Sequence, residues 1–482
     1  MKLIIGWLYA VILCLIYGLL LSAYGFLLCF QETDEPRLSF LFLLFLALLA
    51  VFIGCCFGLS WLWRRRNWDS RGRWRFALLV LLTIPVVCLM RDATPIEHDY
   101  SMKDIVPGDP KILASYDTLM VFRKDGGMQV KTTDTSANYP QFQTNWFSNY
   151  LTNTIVYSES ISYAWNRIAE ARSVIEKLDT FPGIADLTPQ VPLGTNTPIP
   201  NFVTLRSISW TYAAYASLKT AEGHPEEGVK QLAKIQSVTR KALPHSAILV
   251  DKMIWISVAR NNIEAAYVIL QHPQCNPKTL EILKDAFPSI SEEDVSFSRV
   301  LIGEYLGLKN ICEVWLRPSN LFDAFSMTEV VGANPKPPSL FRKAASSFVY
   351  YLTFRKNRTF RDFRKHFDLL VEGAGKHPPD MSRADRFVKN YIRHPDIRNL
   401  GGWFMVSVAI PSFTRSSETA VRTKVLSDLL AIEIGNRLNQ PVVLDDYYSD
   451  GPYGRDERTG RAFSVGPDKK PNTDDDIVLG KN

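Results

Sequence analysis

Three apolar stretches lie in the first 90 residues, with an arginine-rich loop between the second and third, and they constrain this chain more than any other feature. Residues 3–30 form 28 positions without a formal charge, and residues 38–63 form another 26. About 20 such residues carry a helix across the hydrocarbon core, so both stretches predict transmembrane helices. Residues 76–90 number only 15 and include Pro85. As a helix they reach about 22 Å at ~1.5 Å per residue, short of the ~30 Å core. Arg75 and Arg91 flank this stretch, and basic side chains can extend to the interface while the bilayer thins locally. We read it as a third span; a helix lying in the interface, or packed on the first two, is the alternative.

Charge orients the spans. The 64–75 loop carries Arg64, Arg65, Arg66, Arg71, Arg73 and Arg75, whereas residues 31–37 hold one arginine and three acids. Lysine and arginine accumulate on the cytoplasmic side. The amino terminus and the arginine loop are therefore expected inside, and the 31–37 turn outside. If the third stretch crosses, residues after about 91 are extracytoplasmic; if it does not, they are cytoplasmic. Trp61, Trp63, Trp68 and Trp74 cluster at the loop, as an interfacial aromatic belt does. The first stretch exceeds the 7–15-residue apolar core of a cleaved signal peptide, so we read it as an uncleaved anchor.

The net charge of +6 on 482 residues is mild and does not by itself indicate nucleic acid. Five of the seven cysteines sit in the apolar stretches, where a thiol behaves as a small hydrophobe. Only Cys275 and Cys312 lie beyond, and no Cys-x-x-Cys pair exists, so neither a zinc ribbon nor a thioredoxin-type site is expected. An extracytoplasmic location permits a Cys275–Cys312 disulfide; two free buried thiols are the alternative.

Residues 91–145 are polar with Pro95, Pro107 and Pro110 and read as a juxtamembrane linker with one short strand at 118–122. Residues 146–412 have a helical texture and predict an all-α body. Its segments are 146–178, 246–271, 277–287 and 291–316, with a proline-rich irregular connection at 187–200. Its clearest unit is 206–242. Tyr212, Tyr215, Ala216 and Thr220 recur at helical spacing; Gly223-His224-Pro225 then ends one helix and starts the next. Val229, Leu232, Ile235 and Val238 form the second stripe. This pair resembles a tetratricopeptide-type hairpin, although no sustained 34-residue period accompanies it; a plain antiparallel helix pair is the other reading.

Residues 336–398 hold 15 Lys/Arg against 6 Asp/Glu. Within them Arg355, Lys356, Arg358, Arg361, Arg364 and Lys365 alternate with Phe354, Phe360, Phe363 and Phe367. One reading is an amphipathic helix with a solvated basic face. The other is a basic surface for anionic lipid head groups or an acidic glycan. Nucleic acid is not expected at an extracytoplasmic face. No His-Glu-x-x-His, Gly-x-Ser-x-Gly, P-loop or Gly-x-Gly-x-x-Gly pattern occurs, so no catalytic residue is nominated.

Residues 413–482 read as a helix, 414–438, then a candidate strand, 441–446, and a Gly/Asp/Tyr-rich tail. Asp450 with Gly454, the run Phe463-Ser464-Val465-Gly466-Pro467-Asp468, and the acidic 474–477 segment resemble the carboxyl-terminal region of type II secretion major pseudopilins. In that family the acidic loop binds calcium. The resemblance therefore implies Asp468, Asp474, Asp475 and Asp476 as ligands, with Asp450 a further candidate; calcium takes six to eight oxygens on flexible loops. Lys469 stands where that family has glycine, and the family's amino-terminal signal is missing. The alternative is a solvated acidic hairpin without metal.

The resulting expectation is a mainly α chain: three amino-terminal transmembrane helices (3–30, 38–63, 76–90), a helical body and a small β-hairpin tail. It resembles bacterial inner-membrane proteins whose helical body carries such a tail. The implied role is an extracytoplasmic envelope scaffold anchored in the lipid bilayer that binds a protein partner. An envelope enzyme or transport accessory handling an anionic lipid or glycan is one alternative, and a component of a pilus-like or secretion assembly another.

Overall fold

Helix-capping chemistry sets out most of the body. In the computed structural model the described residues are 93–122, 154–315 and 354–480, with breaks at 192, 195–196, 397–398 and 410–412. All belong to the unit spanning 92–482. The three apolar stretches and the arginine loop lie outside the described residues, among which no helix is long and apolar enough to cross a membrane.

In chain order the helices are α1 (Pro110–Leu113), α2 (Ser115–Leu119), α3 (Ser158–Arg167), α4 (Ala169–Asp179), α5 (Phe202–Ala221), α6 (Pro225–Ala242) and α7 (Leu249–Gln271). They continue as α8 (Pro277–Ala286), α9 (Glu292–Val295), α10 (Ser298–Trp315), α11 (Lys356–Ala374), α12 (Ser382–Arg393), α13 (Leu400–Ala409) and α14 (Thr414–Arg437). Three short strands close the chain: β1 (Gly454–Arg455), β2 (Ala462–Ser464) and β3 (Ile477–Val478). They form an antiparallel sheet in the order β1-β2-β3, with Gly454 opposite Phe463 and Ser464 opposite Ile477. The fold is mainly helical with a small terminal sheet, three strands rather than a hairpin.

The α5–α6 pair forms as the spacing predicts. Asn201 caps α5 by accepting from the Thr204 amide, Gly223 takes φ +89° after it, and Pro225 opens α6. Glu226 and Glu227 occupy the first turn of α6 and Arg240 and Lys241 its last, matching the helix dipole. Val229, Leu232, Ile235 and Val238 are all buried. At Gly228 an added Cβ would stand 2.4 Å from the Ala216 carbonyl oxygen, so only glycine permits this approach of the two helices. Helix α7 packs on both α5 and α6. A buried amide link joins the three: Asn262 donates to Gln236 at 3.0 Å and meets the Ser209 hydroxyl at 3.2 Å.

Helix α14, forming nearly as predicted, lies between α7 and the sheet. Two of its neighbouring carboxylates fasten the tail. Asp428 receives Lys424 and the Tyr453 hydroxyl, each at 2.7 Å. Asp446 receives the Ser464 hydroxyl at 2.6 Å and the Val465 amide at 3.0 Å.

Four local expectations are corrected. Residues 118–122 are helical, not a strand: Asp109 caps and Pro110 opens a helical run, and Leu119 and Phe122, three residues apart, both face the core. The described part of the expected linker is body: Ile105 is fully buried, its carbonyl accepts from Arg299, and the Ser115 hydroxyl accepts from the Ala185 amide. Residues 441–446 make only an isolated bridge, Asp445 to Pro452, because Pro441 lacks an N–H and Asp446 is engaged as an anchor. The 291–316 segment breaks at Ser296, whose hydroxyl accepts from the Ser298 amide, so α9 and α10 are separate.

Candidate functional site

Of the six basic residues of the expected surface, Lys356, Arg361 and Lys365 are exposed and Arg355 is buried, and each has a contact within the protein. Phe354, Phe360, Phe363 and Phe367 are buried on one stripe, as predicted. Arg355 is itself buried and donates to the Phe354 carbonyl. Lys356 pairs with Glu313 at 3.1 Å and Arg358 with Asp396 at 2.5 Å. Arg361 donates to the carbonyl and hydroxyl of Thr94, both at 2.8 Å. Lys365 lies 5.4 Å from the centre of the Phe387 ring. Arg364 reaches Asp99 at 3.1 Å and Asp368 at 2.7 Å, with its guanidinium over the Tyr100 ring at 3.4 Å. The composition signalled a charge excess; it could not signal that residues 93–104 bind back over α10 and α11 and use it.

Asp99 is the centre of that clasp. It accepts from Lys309 at 2.5 Å, from the Tyr305 hydroxyl at 3.1 Å and from Arg364. Burial alone would raise its carboxyl, but the hydrogen bonds from Lys309 and Tyr305 outweigh this and hold it below the usual carboxylate range. Tyr100 donates to Asp368 at 2.8 Å, and burial together with that carboxylate pushes its phenol up to about 12.

The other nominated residues are also accounted for. Cys275 and Cys312 are free thiols, the second of the two readings; burial pushes Cys312 up to about 12. In the tail, Asp468 accepts from the Lys470 amide at 2.8 Å and Asp476 from the Asn472 amide at 2.8 Å. Asp475 accepts from the Asp468 amide at 2.9 Å and the Thr473 hydroxyl at 2.6 Å. Asp474 and Asp450 are exposed. Among the described residues no three His, Cys, Asp or Glu side chains are grouped to hold a metal ion. In this arrangement three of the acids accept hydrogen bonds within their own loop. Gly466 sits at φ +67°, where a Cβ would meet the Asp475 carbonyl at 2.4 Å, and Lys469 itself adopts φ +59°.

Two clusters were not foreseen. Asp186 and Asp251 lie together in the core at 3 % and 1 % exposure. Asp186 accepts from the Ala247 amide at 2.8 Å, but three of the four carboxyl oxygens have no hydrogen-bond partner among the described residues. Burial raises both carboxyls, and the charge of Asp186 raises Asp251 further. Lys252 beside them donates to the carbonyls of Leu243 and Asp294, and burial lowers its ammonium to about 8. This cluster carries strongly displaced acid–base groups, yet its sealing leaves no path for a substrate.

The second cluster is open. A cleft of about 290 Å³ is bounded by α9, the turn after α11, the first half of α14 and Tyr447. Val295, Phe297, Ala374 and Val421 supply apolar walls; Glu292, Glu293 and Lys376 stand at the rim. His377 at the mouth pairs with Glu292 at 3.2 Å, and its ring centre is 4.3 Å from that of Tyr447. Lys376 is drawn to Asp380 at 3.5 Å. Burial, with the charge of Glu292 adding to it, raises the Tyr447 phenol and keeps it a neutral hydroxyl. These residues come from four separated segments, so no spacing along the chain announces the cleft. The chain matches no protein-family model, no curated protein and no solved structure.

Proposed function

We propose that this chain is a membrane-anchored extracytoplasmic scaffold of the bacterial inner membrane, which holds a protein partner on its helical body. The observation that carries the reading is the clasp at Asp99. Residues 93–104 are tied by ion pairs to α10 and α11, so the first described segment is part of the body rather than a loose linker. A body with so firmly tied an entry segment suits a protein whose task is to hold another in place. The occupation of the basic residues by Asp99, Thr94, Glu313 and Asp396 weighs against a surface for anionic lipid or glycan.

Photo-crosslinking in intact membranes tests the reading. A photoreactive residue placed singly at Val203 or Val443, exposed at 60 % and 79 %, should yield a discrete protein adduct from at least one position. No adduct from these or other exposed body positions would contradict it.

A further inference from the structure

We infer that the cleft between α9, α14 and Tyr447 receives the lysine side chain of a partner polypeptide. The inference rests on the scaffold reading and names the chemistry of the contact. At about 290 Å³ the cleft falls at the bottom of the ~300–1,000 Å³ range of sites that enclose whole ligands. It suits one long side chain better than a cofactor.

The polar groups of the cleft select the charge of that side chain. Among the polar groups of the rim, Lys376 is drawn to Asp380, and the Glu292 carboxylate lies 3.2 Å from the His377 ring. Glu293 is left with no ion-pair or hydrogen-bond partner for its carboxylate among the described residues. Below it stand two hydroxyls. Ser417 and Tyr447 are each 6 % exposed and line the cleft, and neither hydroxyl has a hydrogen-bond partner among the described residues. Both oxygens stay accessible, and the cleft is the space from which a partner can reach them. One unpaired carboxylate and two neutral hydroxyls are acceptors for the three donors of an ammonium group. The apolar walls of Val295, Phe297, Ala374 and Val421 suit the four-carbon stem that a lysine buries while its charge finds a polar end. A carboxylate or phosphate would face Glu293 without a free cation at the rim.

The test uses the full chain in its membrane and, as probe, acetyl-Ala-Lys-Ala-amide carrying a diazirine on its acyl end. The expected result is label in peptides containing residues 292–297, 374–379, 417–421 or 447. Excess unlabelled lysine peptide should compete, whereas the norleucine and glutamate analogues should not. Glu293→Gln, an exposed substitution, should reduce the cleft label at least tenfold. Tyr447→Phe, which removes only the hydroxyl, should reduce it several-fold with thermal unfolding unchanged. Glu176→Gln, remote from the cleft, should leave it intact. Equal labelling by the norleucine peptide, preference for the glutamate peptide, or no label in the cleft would overturn the inference. So would 1,5-diaminopentane competing as well as the lysine peptide, because the ligand would then be a free amine. Partner adducts from Val203 or Val443 that persist alongside any of these results would leave the scaffold reading standing and remove only this contact.

Discussion

The basic stretch at 355–365 and the acidic loop at 468–476 are opposite in sign, yet both read from sequence as surfaces for a ligand, and both have polar partners within the chain. They differ in where those partners lie. The bases of α11 find partners far away in sequence: Arg364 reaches Asp99 and Arg361 reaches Thr94. The acids of the tail are satisfied by amides and a hydroxyl within seven residues of themselves. A long-range pairing holds two parts of the fold together, whereas a local one only shapes a turn. Disrupting each should therefore have unequal effects.

The largest effect is expected from Asp99→Ala. It leaves Lys309 and Arg364 facing each other and removes the acceptor for Tyr305. A half-buried site of this kind should lose about 2–3 kcal/mol, less than the ~3–5 kcal/mol of a fully buried broken pair because solvent still screens it. Chemical denaturation measures the loss, and limited proteolysis should then cut within 93–104. Because the folded-state carboxyl lies below its ordinary value, this contribution is present above the unfolded pKa of about 3.9 and disappears as pH falls through the lower folded value. An unchanged midpoint for the variant at neutral pH would break the comparison.

Acid should act next on the apolar side of the same helix. His366 is 2 % exposed, neither ring nitrogen has a partner among the described residues, and burial lowers it from 6.5 to about 4. The neutral form is the one that fits. Stability is full above pH 6.5 and falls toward pH 4, by up to about 3 kcal/mol at ~1.4 kcal/mol per unit. His366→Phe should flatten the denaturation-midpoint profile across that window, and a slope unchanged by the substitution would contradict the assignment.

A third arrangement, buried acids without a neutralising partner, sharpens the contrast. The Asp251 carboxyl is raised by burial and by Asp186, so the folded state binds a proton that the unfolded state gives up. That contribution is full below about pH 3.8 and is lost as pH rises through the folded value. Asp251→Asn should therefore gain stability relative to the parent as pH rises from 4 to 8, read from thermal midpoints. A variant that loses ground with rising pH would mean the pair is ionised.

The smallest effect belongs to the tail. Asp475→Asn should leave the main unfolding transition in place and loosen only the 466–476 loop, seen as faster amide exchange there. A shift comparable to that of Asp99→Ala would erase the distinction between local and long-range pairing.

What could be read beforehand follows the same division. Helices α5, α6, α7, α8 and α14 were legible because caps, breaks and apolar spacing are local properties, as Asn201, Gly223 and Pro225 illustrate. The phenylalanine stripe of α11 was legible for the same reason. The partners of its arginines were not, because charge counting over 336–398 does not include Thr94 or Asp99. Residues 118–122 carry β-compatible side chains, yet the cap at Asp109 and the buried spacing of Leu119 and Phe122 prevailed. The cleft was invisible because Glu293, Ser417 and Tyr447 meet only through tertiary packing.

The central claim is that the 92–482 unit faces the extracytoplasmic side, held there by three spans. Fusing alkaline phosphatase, active only after export, or a green fluorescent protein, bright only inside, to the carboxyl terminus of the full chain tests this most directly. The account predicts an active phosphatase and a dark fluorophore. A bright fluorophore with an inactive phosphatase would mean that residues 76–90 do not cross, and would contradict both the location and the scaffold built on it.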